Sequence, residues 1–276
     1  MTSFLGLFLI SVAAGFVGSM SGMGGGVVLV PALTFAGFDI KQVIGVSIVS
    51  VIATSSGSAS SYVRDHLTNL KVAMFLEMFT ILGAFAGAAV TLHSSPRPLY
   101  LGFGVVLLAS WATLFAHLKD RWRQPPDVDG FSKWLELSGG YVDASSNAVV
   151  RYQAVRAYFG GPLMFLAGAI SGLLGIGAGA VKVLIHDLVM GLPPKVSTTT
   201  SNLVIGVTAL AGTSVYLAHG LIDPGLAAPV ILGVVCGAWL GTRVLVRLAN
   251  RKVRYFFLVV LALLGVEMII RGIRLP

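Results

Sequence analysis

Long apolar runs separated by short polar breaks set the rhythm of this chain. Residues 1–38 carry no ionisable side chain, and further apolar runs cover about 42–63, 72–93, 98–118, 157–190, 196–218, 224–246 and 255–270. A bilayer core about 30 Å thick is crossed by about 20 apolar helical residues. The ordinary runs therefore predict one span each, and 1–38 is too long for a single straight span. The pattern predicts an all-α polytopic membrane protein. One long polar stretch, 119–156, parts a first transmembrane repeat, 1–118, from a second, 157–276. That linker carries the patch Phe131-Ser132-Lys133-Trp134-Leu135, which is read either as resting on the membrane surface or as ordinary solvated chain.

The two halves are copies. Gly22-Met23-Gly24-Gly25-Gly26 returns as Gly175-Ile176-Gly177-Ala178-Gly179, offset by 153 residues. After one inserted residue the offset is 154: Lys41/Lys195, Ser47/Ser201, Thr54/Thr208, Tyr62/Tyr216, Gly83/Gly237 and Gly87/Gly241. Duplicated membrane domains with a Gly-rich break in each copy point to transporters. Each copy has three ordinary spans after its broken run. A run that folds back at its glycines, as a short helix pair or a re-entrant hairpin, gives inverted repeats. A run that crosses once gives eight spans and parallel repeats. Positive charge marks the cytoplasmic side. Inversion gathers fourteen Lys and Arg residues on the linker's side and leaves Lys41, Arg97, Arg271 and Arg274 opposite. Inverted repeats, a cytoplasmic linker and a multi-pass place in a bacterial or archaeal plasma membrane are the expectation.

Composition narrows the function. Hydrophobic residues make up 56% of the chain and charged ones 11%, against about 25% charged in soluble domains. The net charge of +8 reads as basic cytoplasmic loops and not as a nucleic-acid surface. The N-terminal run has no basic flank, so a retained span is expected and not a cleaved leader. Cys236 is the single cysteine, which excludes an internal disulfide and a thiolate metal cluster. No Gly-Lys-Ser/Thr follows either glycine break, and His-Glu-x-x-His, Gly-x-Ser-Gly and Gly-x-Gly-Asp are absent. Neither an enzyme nor a cofactor is expected.

The candidate chemistry lies at the breaks. Glycine lets backbones approach closely, and amides at a broken helix end favour anions. Gly22, Gly24, Gly25, Gly26, Gly175, Gly177, Ala178 and Gly179 are therefore candidate substrate ligands; tight helix packing is the competing explanation. The following helix of each repeat is rich in hydroxyls. Repeat-matched Ser47/Ser201 and Thr54/Thr208, with Thr199, Thr200 and Asn202, are candidate donors to an oxyanion, against back-bonding to their own helix. Ionisable groups inside spans are costly and tend to be functional. Lys182 is expected to attract the anion, and His186, Asp187 or Glu77 to handle a coupled proton. A structural Lys182–Asp187 pair is the competing explanation. Gly83-x-x-x-Gly87 and Gly237-x-x-x-Gly241 read as helix packing, with a homodimer face the weaker alternative.

The Gly-x-Gly-Gly-Gly break, Pro31, Gly37, Lys41 and the Ser/Thr-rich helix, all within a duplication, resemble the TauE/SafE family of sulfite exporters, whose wider group includes organosulfonate permeases. The resemblance covers nearly the whole chain outside 119–156. It implies a secondary transporter of small sulfur oxyanions or sulfonates, driven by an ion gradient; the paired glycine breaks add the expectation of alternating access around a site shared between the repeats, with a proton or sodium as the coupling ion. The second copy departs from the pattern at Ala178, Leu184, Lys182 and His186, so the cargo stays open. A passive anion channel or a carrier of another small anion, such as a carboxylate, is the alternative.

Overall fold

The computed structural model describes residues 4–21, 24–116, 128–143, 148–245 and 250–275. It is an all-α polytopic membrane protein. The first half holds α1 (Phe4–Ser21), α2 (Gly26–Phe35), α3 (Ile40–Arg64), α4 (Leu70–His93) and α5 (Pro96–Ala116). A short α6 (Gly130–Trp134) and two strands, β1 (Ser138–Asp143) and β2 (Ala148–Gln153), follow. The second half holds α7 (Ala157–Leu174), α8 (Gly179–Leu184) running into a π-helical turn (Ile185–Val189), α9 (Pro194–Ala218), α10 (Pro224–Leu245) and α11 (Asn250–Arg274). Five of the described helices, α3, α4, α7, α9 and α10, are long and apolar enough to cross a membrane.

Helix ends fall where the local chemistry directs. The Asn69 side chain accepts the Val72 amide and starts α4, a standard N-cap that meets one orphan donor. Pro194 opens α9, where its missing N–H costs nothing. Gly175, at φ 66°, closes α7.

The helices pair across the halves. α1 packs on α10, α4 on α7, α3 on α9 and α5 on α11. Small residues make this closeness feasible. A methyl on Gly83 or Gly87 would strike the backbone of Phe165 or Ala169, and one on Gly168 or Gly172 the backbone of Thr80 or Ala84. Gly233, Gly237 and Gly241 meet Phe8, Val12 and Phe16 in the same way. The Gly-x-x-x-Gly pairs thus serve helix packing within the chain. The order of contacts gives directions. α1 and α10 run parallel, as do α4 and α7. α3 and α9 run opposed, since Ile48 meets Gly212 while Ser55 meets Gly206. α5 and α11 are opposed too, Leu101 meeting Gly272 and Leu108 meeting Gly265.

The polar stretch between the halves contains a strand pair that the apolar pattern does not predict. β1 and β2 are antiparallel, with Ser138 opposite Gln153 and Tyr141 opposite Val150. Val149, Val150 and Tyr152 suit a pleated strand, but the segment is too short to stand out. It is anchored: Asn69 donates to the Tyr152 hydroxyl at 3.1 Å, and the Val155 amide donates to the Met190 carbonyl at 3.0 Å. Asp129 fastens its start. Burial alone would raise the Asp129 carboxyl, but hydrogen bonds from the Arg156 and Ser132 amides and the Ser132 hydroxyl hold it below the usual range. The aromatic patch is outermost, with Trp134 76% exposed and Phe131 set edge-on against Phe75 of α4.

Candidate functional site

The two glycine breaks meet. After α1 the chain folds back, so that Gly24 and Gly25 lie against Gly18 and Gly25 also faces Ala14. Gly26 opens α2 directly over the other break: a methyl there would come within 2.6 Å of the Gly175 carbonyl oxygen and 3.0 Å of the Ile176 Cα. A methyl on Gly24 would lie 3.7 Å from the Ile176 carbonyl oxygen. All the described residues of both breaks are buried. Gly24, Gly175 and Gly177 take left-handed φ values of 82°, 66° and 72°, and so does Ala178 at 48°. For an alanine that conformation costs about 1–2 kcal/mol. The turns touch and leave no room for a solute between them. Gly22 lies outside the described residues.

The hydroxyls divide into two sets. Ser47 reaches across the halves and donates to the Gly175 carbonyl at 2.9 Å. Ser201 donates to Gly179 of its own half at 3.4 Å. Ser47, Ser201 and Thr54, which packs on Gly25, therefore stand at the breaks. Thr199 and Thr200 do not: Thr199 donates to the Leu67 carbonyl at 2.8 Å and Thr200 accepts the Asn69 amide at 3.1 Å. They join α9 to the α3–α4 connection. Asn202 donates to Thr198 of its own helix at 3.1 Å, and its carbonyl accepts from Ser55. Beside that crossing, Ile52, Ser55, Leu203 and Gly206 line a groove of about 160 Å³. A larger cavity of about 620 Å³ lies elsewhere, among Asp65, His66, Arg151 and Tyr152 by the strand pair.

The charged candidates form a separate cluster. Lys182 is fully buried and donates to the Thr208 hydroxyl at 2.8 Å. Thr208 in turn reaches Glu77 Oε1 of α4 at 3.1 Å. Thr80 approaches the same oxygen at 3.3 Å. The pairing is thus Lys182 with Glu77 through a hydroxyl, and not the Lys182–Asp187 contact that the sequence offers. His186 and Asp187 sit on the π-helical turn. His186 is fully buried, with Nδ1 at 3.3 Å from the Ser197 carbonyl. That contact faces it toward the start of α9. Thr80 and Ser55 are not among the candidates that the sequence singles out. Thr80 stands three residues after Glu77, a spacing that shares a helix face.

Four helix pairs around two buried glycine breaks, with a charged cluster alongside, make up a multi-pass membrane protein. The profile of the sulfite exporter family TauE/SafE matches residues 7–268, and the chain belongs to that family. It is similar to the "Probable membrane transporter protein YunE" of Bacillus subtilis, 26% identical over 98% of this chain and 99% of the relative. It is likewise 26% identical to the "Probable membrane transporter protein YdhB" of the same organism, over 86% of each chain. A Sinorhizobium relative, "Probable membrane transporter protein ORF9", is 33% identical over 82 residues, 30% of this chain and 31% of the relative. No solved structure matches the chain.

Proposed function

We propose that this protein is a secondary transporter of small sulfur oxyanions or organosulfonates in the plasma membrane of a bacterium or archaeon. The halves alternate access to a site formed where the glycine turns now close. The observation that carries this reading is the contact of Gly26 with Gly175 and Ile176, clasped by Ser47 on the Gly175 carbonyl. Repeat-matched α3 and α9 run opposed, and so do α5 and α11, which supports two inverted halves meeting at a central site. When the turns part, amides and hydroxyls that now bond backbone are freed for an oxyanion. Such donors bind negative charge without burying a fixed cation. The family's designation as sulfite exporters supports sulfite as the first solute to test.

The test is flux of radiolabelled sulfite in proteoliposomes, with taurine, aryl sulfonates and small carboxylates as competitors. The expected result is protein-dependent uptake, competed by sulfur anions and accelerated by unlabelled sulfite on the far side. Sulfite flux no greater than in empty vesicles would overturn the reading. Flux without counterflow acceleration would replace the carrier with a channel.

A further inference from the structure

The Lys182–Thr208–Glu77 cluster has no counterpart at the repeat-matched positions. The duplication pairs Lys182 with Leu29, Thr208 with Thr54, and Glu77 with Ile231. Leu29 and Thr54 are buried, as Lys182 and Thr208 are. The fold is therefore built at these positions from apolar side chains and one hydroxyl, and packing does not require the charges. Glu77 lies seven residues into α4, about 10 Å along the helix, and Thr208 is midway along α9. A charge at such depth is expensive and tends to be functional.

The geometry is that of a relay. Lys182 and Glu77 do not touch; the Thr208 hydroxyl stands between them, accepting from Nζ at 2.8 Å and reaching Oε1 at 3.1 Å. That hydroxyl has one hydrogen and two acceptors, Glu77 Oε1 and its own Val204 carbonyl at 2.5 Å. Thr80 has the same choice, between Glu77 Oε1 at 3.3 Å and the Glu77 carbonyl at 3.0 Å. Both hydroxyls that face this carboxyl oxygen can turn back to their own helices. Glu77 can therefore exist as a carboxylate that accepts from Thr208 and Thr80, or as a carboxylic acid beside both once they turn away. Among the described residues, the ionisable groups on the elements around it are Lys182 of α8, His186 and Asp187 of the π-helical turn, and, toward the helix ends, Lys71 and His93 of α4, Tyr158 of α7 and Lys195 and Tyr216 of α9.

We propose that Glu77 is the proton-binding site of this transporter and that Lys182 links its protonation to anion entry; the linkage rests on the anion-transport reading above. A proton adds to a Glu77 oxygen, the Thr208 hydrogen swings to Val204, and Lys182 keeps its own protons. The cluster passes from neutral to a net charge of +1. Lys182, three residues from Gly179, then holds an uncompensated charge that draws an anion toward the glycine turns. Once the anion is released, the Glu77 proton leaves to water on the side of release and the carboxylate is restored. The cation is a proton because a sodium ion at Glu77 would sit beside the Lys182 ammonium and be repelled.

Infrared spectroscopy of the reconstituted protein during a pH titration reads the site without any solute. The expected result is a protonated-carboxyl carbonyl band that grows as pH falls, vanishes in Glu77→Gln, persists in Glu267→Gln and changes midpoint in Thr208→Val. Glu77→Gln is near-isosteric, and Glu267, paired with Arg271 at 2.9 Å, is the control. A static ion pair gives no such band, and its absence, or its survival in Glu77→Gln, would overturn the proposal. Sulfite flux reads the linkage: Glu77→Gln should keep sulfite exchange and lose accumulation driven by a pH gradient. Equal accumulation in Glu77→Gln refutes the linkage and leaves transport standing. A titrating band without wild-type sulfite flux refutes the solute and leaves the proton site standing.

Discussion

The same backbone plan carries opposite chemistry at its two sets of repeat-matched positions. At one set stand Leu29, Thr54 and Ile231; at the other, Lys182 and Thr208 of the second half meet Glu77 of the first in a charged cluster. The backbone differs in a related way. Gly25 sits in ordinary right-handed geometry at φ −63°, while its counterpart Ala178 takes the left-handed φ of 48°. α2 is a regular helix of 10 residues, whereas α8 gives way after 6 residues to a π-helical turn. π-Turns of this kind are frequent at functional sites. Duplication supplies the frame, and the copies have diverged where the charged chemistry is placed.

Three sets of substitutions sharpen this contrast, in order of effect. Lys182→Met removes one partner of a buried pair and should cost about 3–5 kcal/mol, read as a fall in thermal unfolding temperature; adding Glu77→Gln should recover most of it. Leu29→Met, at the matched position, should cost less than about 1.5 kcal/mol. Equal losses at the two sites would erase the asymmetry. Bulk at the shared turns should act alike in both halves. Gly26→Val and Gly175→Val each overfill the crossing, at about 1–3 kcal/mol, with about 1–2 kcal/mol more at Gly175 for its positive φ. Both should abolish sulfite flux, and wild-type flux in either would break the symmetry of the site. The smallest effect runs the other way. Ala178→Gly relieves the left-handed alanine and should stabilise by about 1 kcal/mol, whereas Gly25→Ala has no such strain to add.

Much of the fold is legible in the order of residues alone. The glycine offset announces the duplication, and long apolar runs announce the helices. The reading of Gly83 and Gly87 as packing positions follows from small-residue spacing and is met by the backbone of α7. Partners are harder. Nothing in the spacing of Thr199 and Thr200 says that they hold the α3–α4 connection, because that contact joins residues 131 or more positions apart. Lys182 points most naturally toward Asp187, five residues away; only the packing of α4 on α9 brings Glu77 to it. The strand pair hides in a short polar segment whose alternation is too brief to register.

The exchanged pairing of α1 has a consequence for biogenesis. Phe8 finds its place against Gly233, so α1 waits for α10, which is synthesised much later. Contacts so distant in sequence form slowly. In the interval the stripe along α1 that will face α10 must be shielded by lipid or an insertion factor, and a nascent chain halted at the linker would be caught with that stripe unburied.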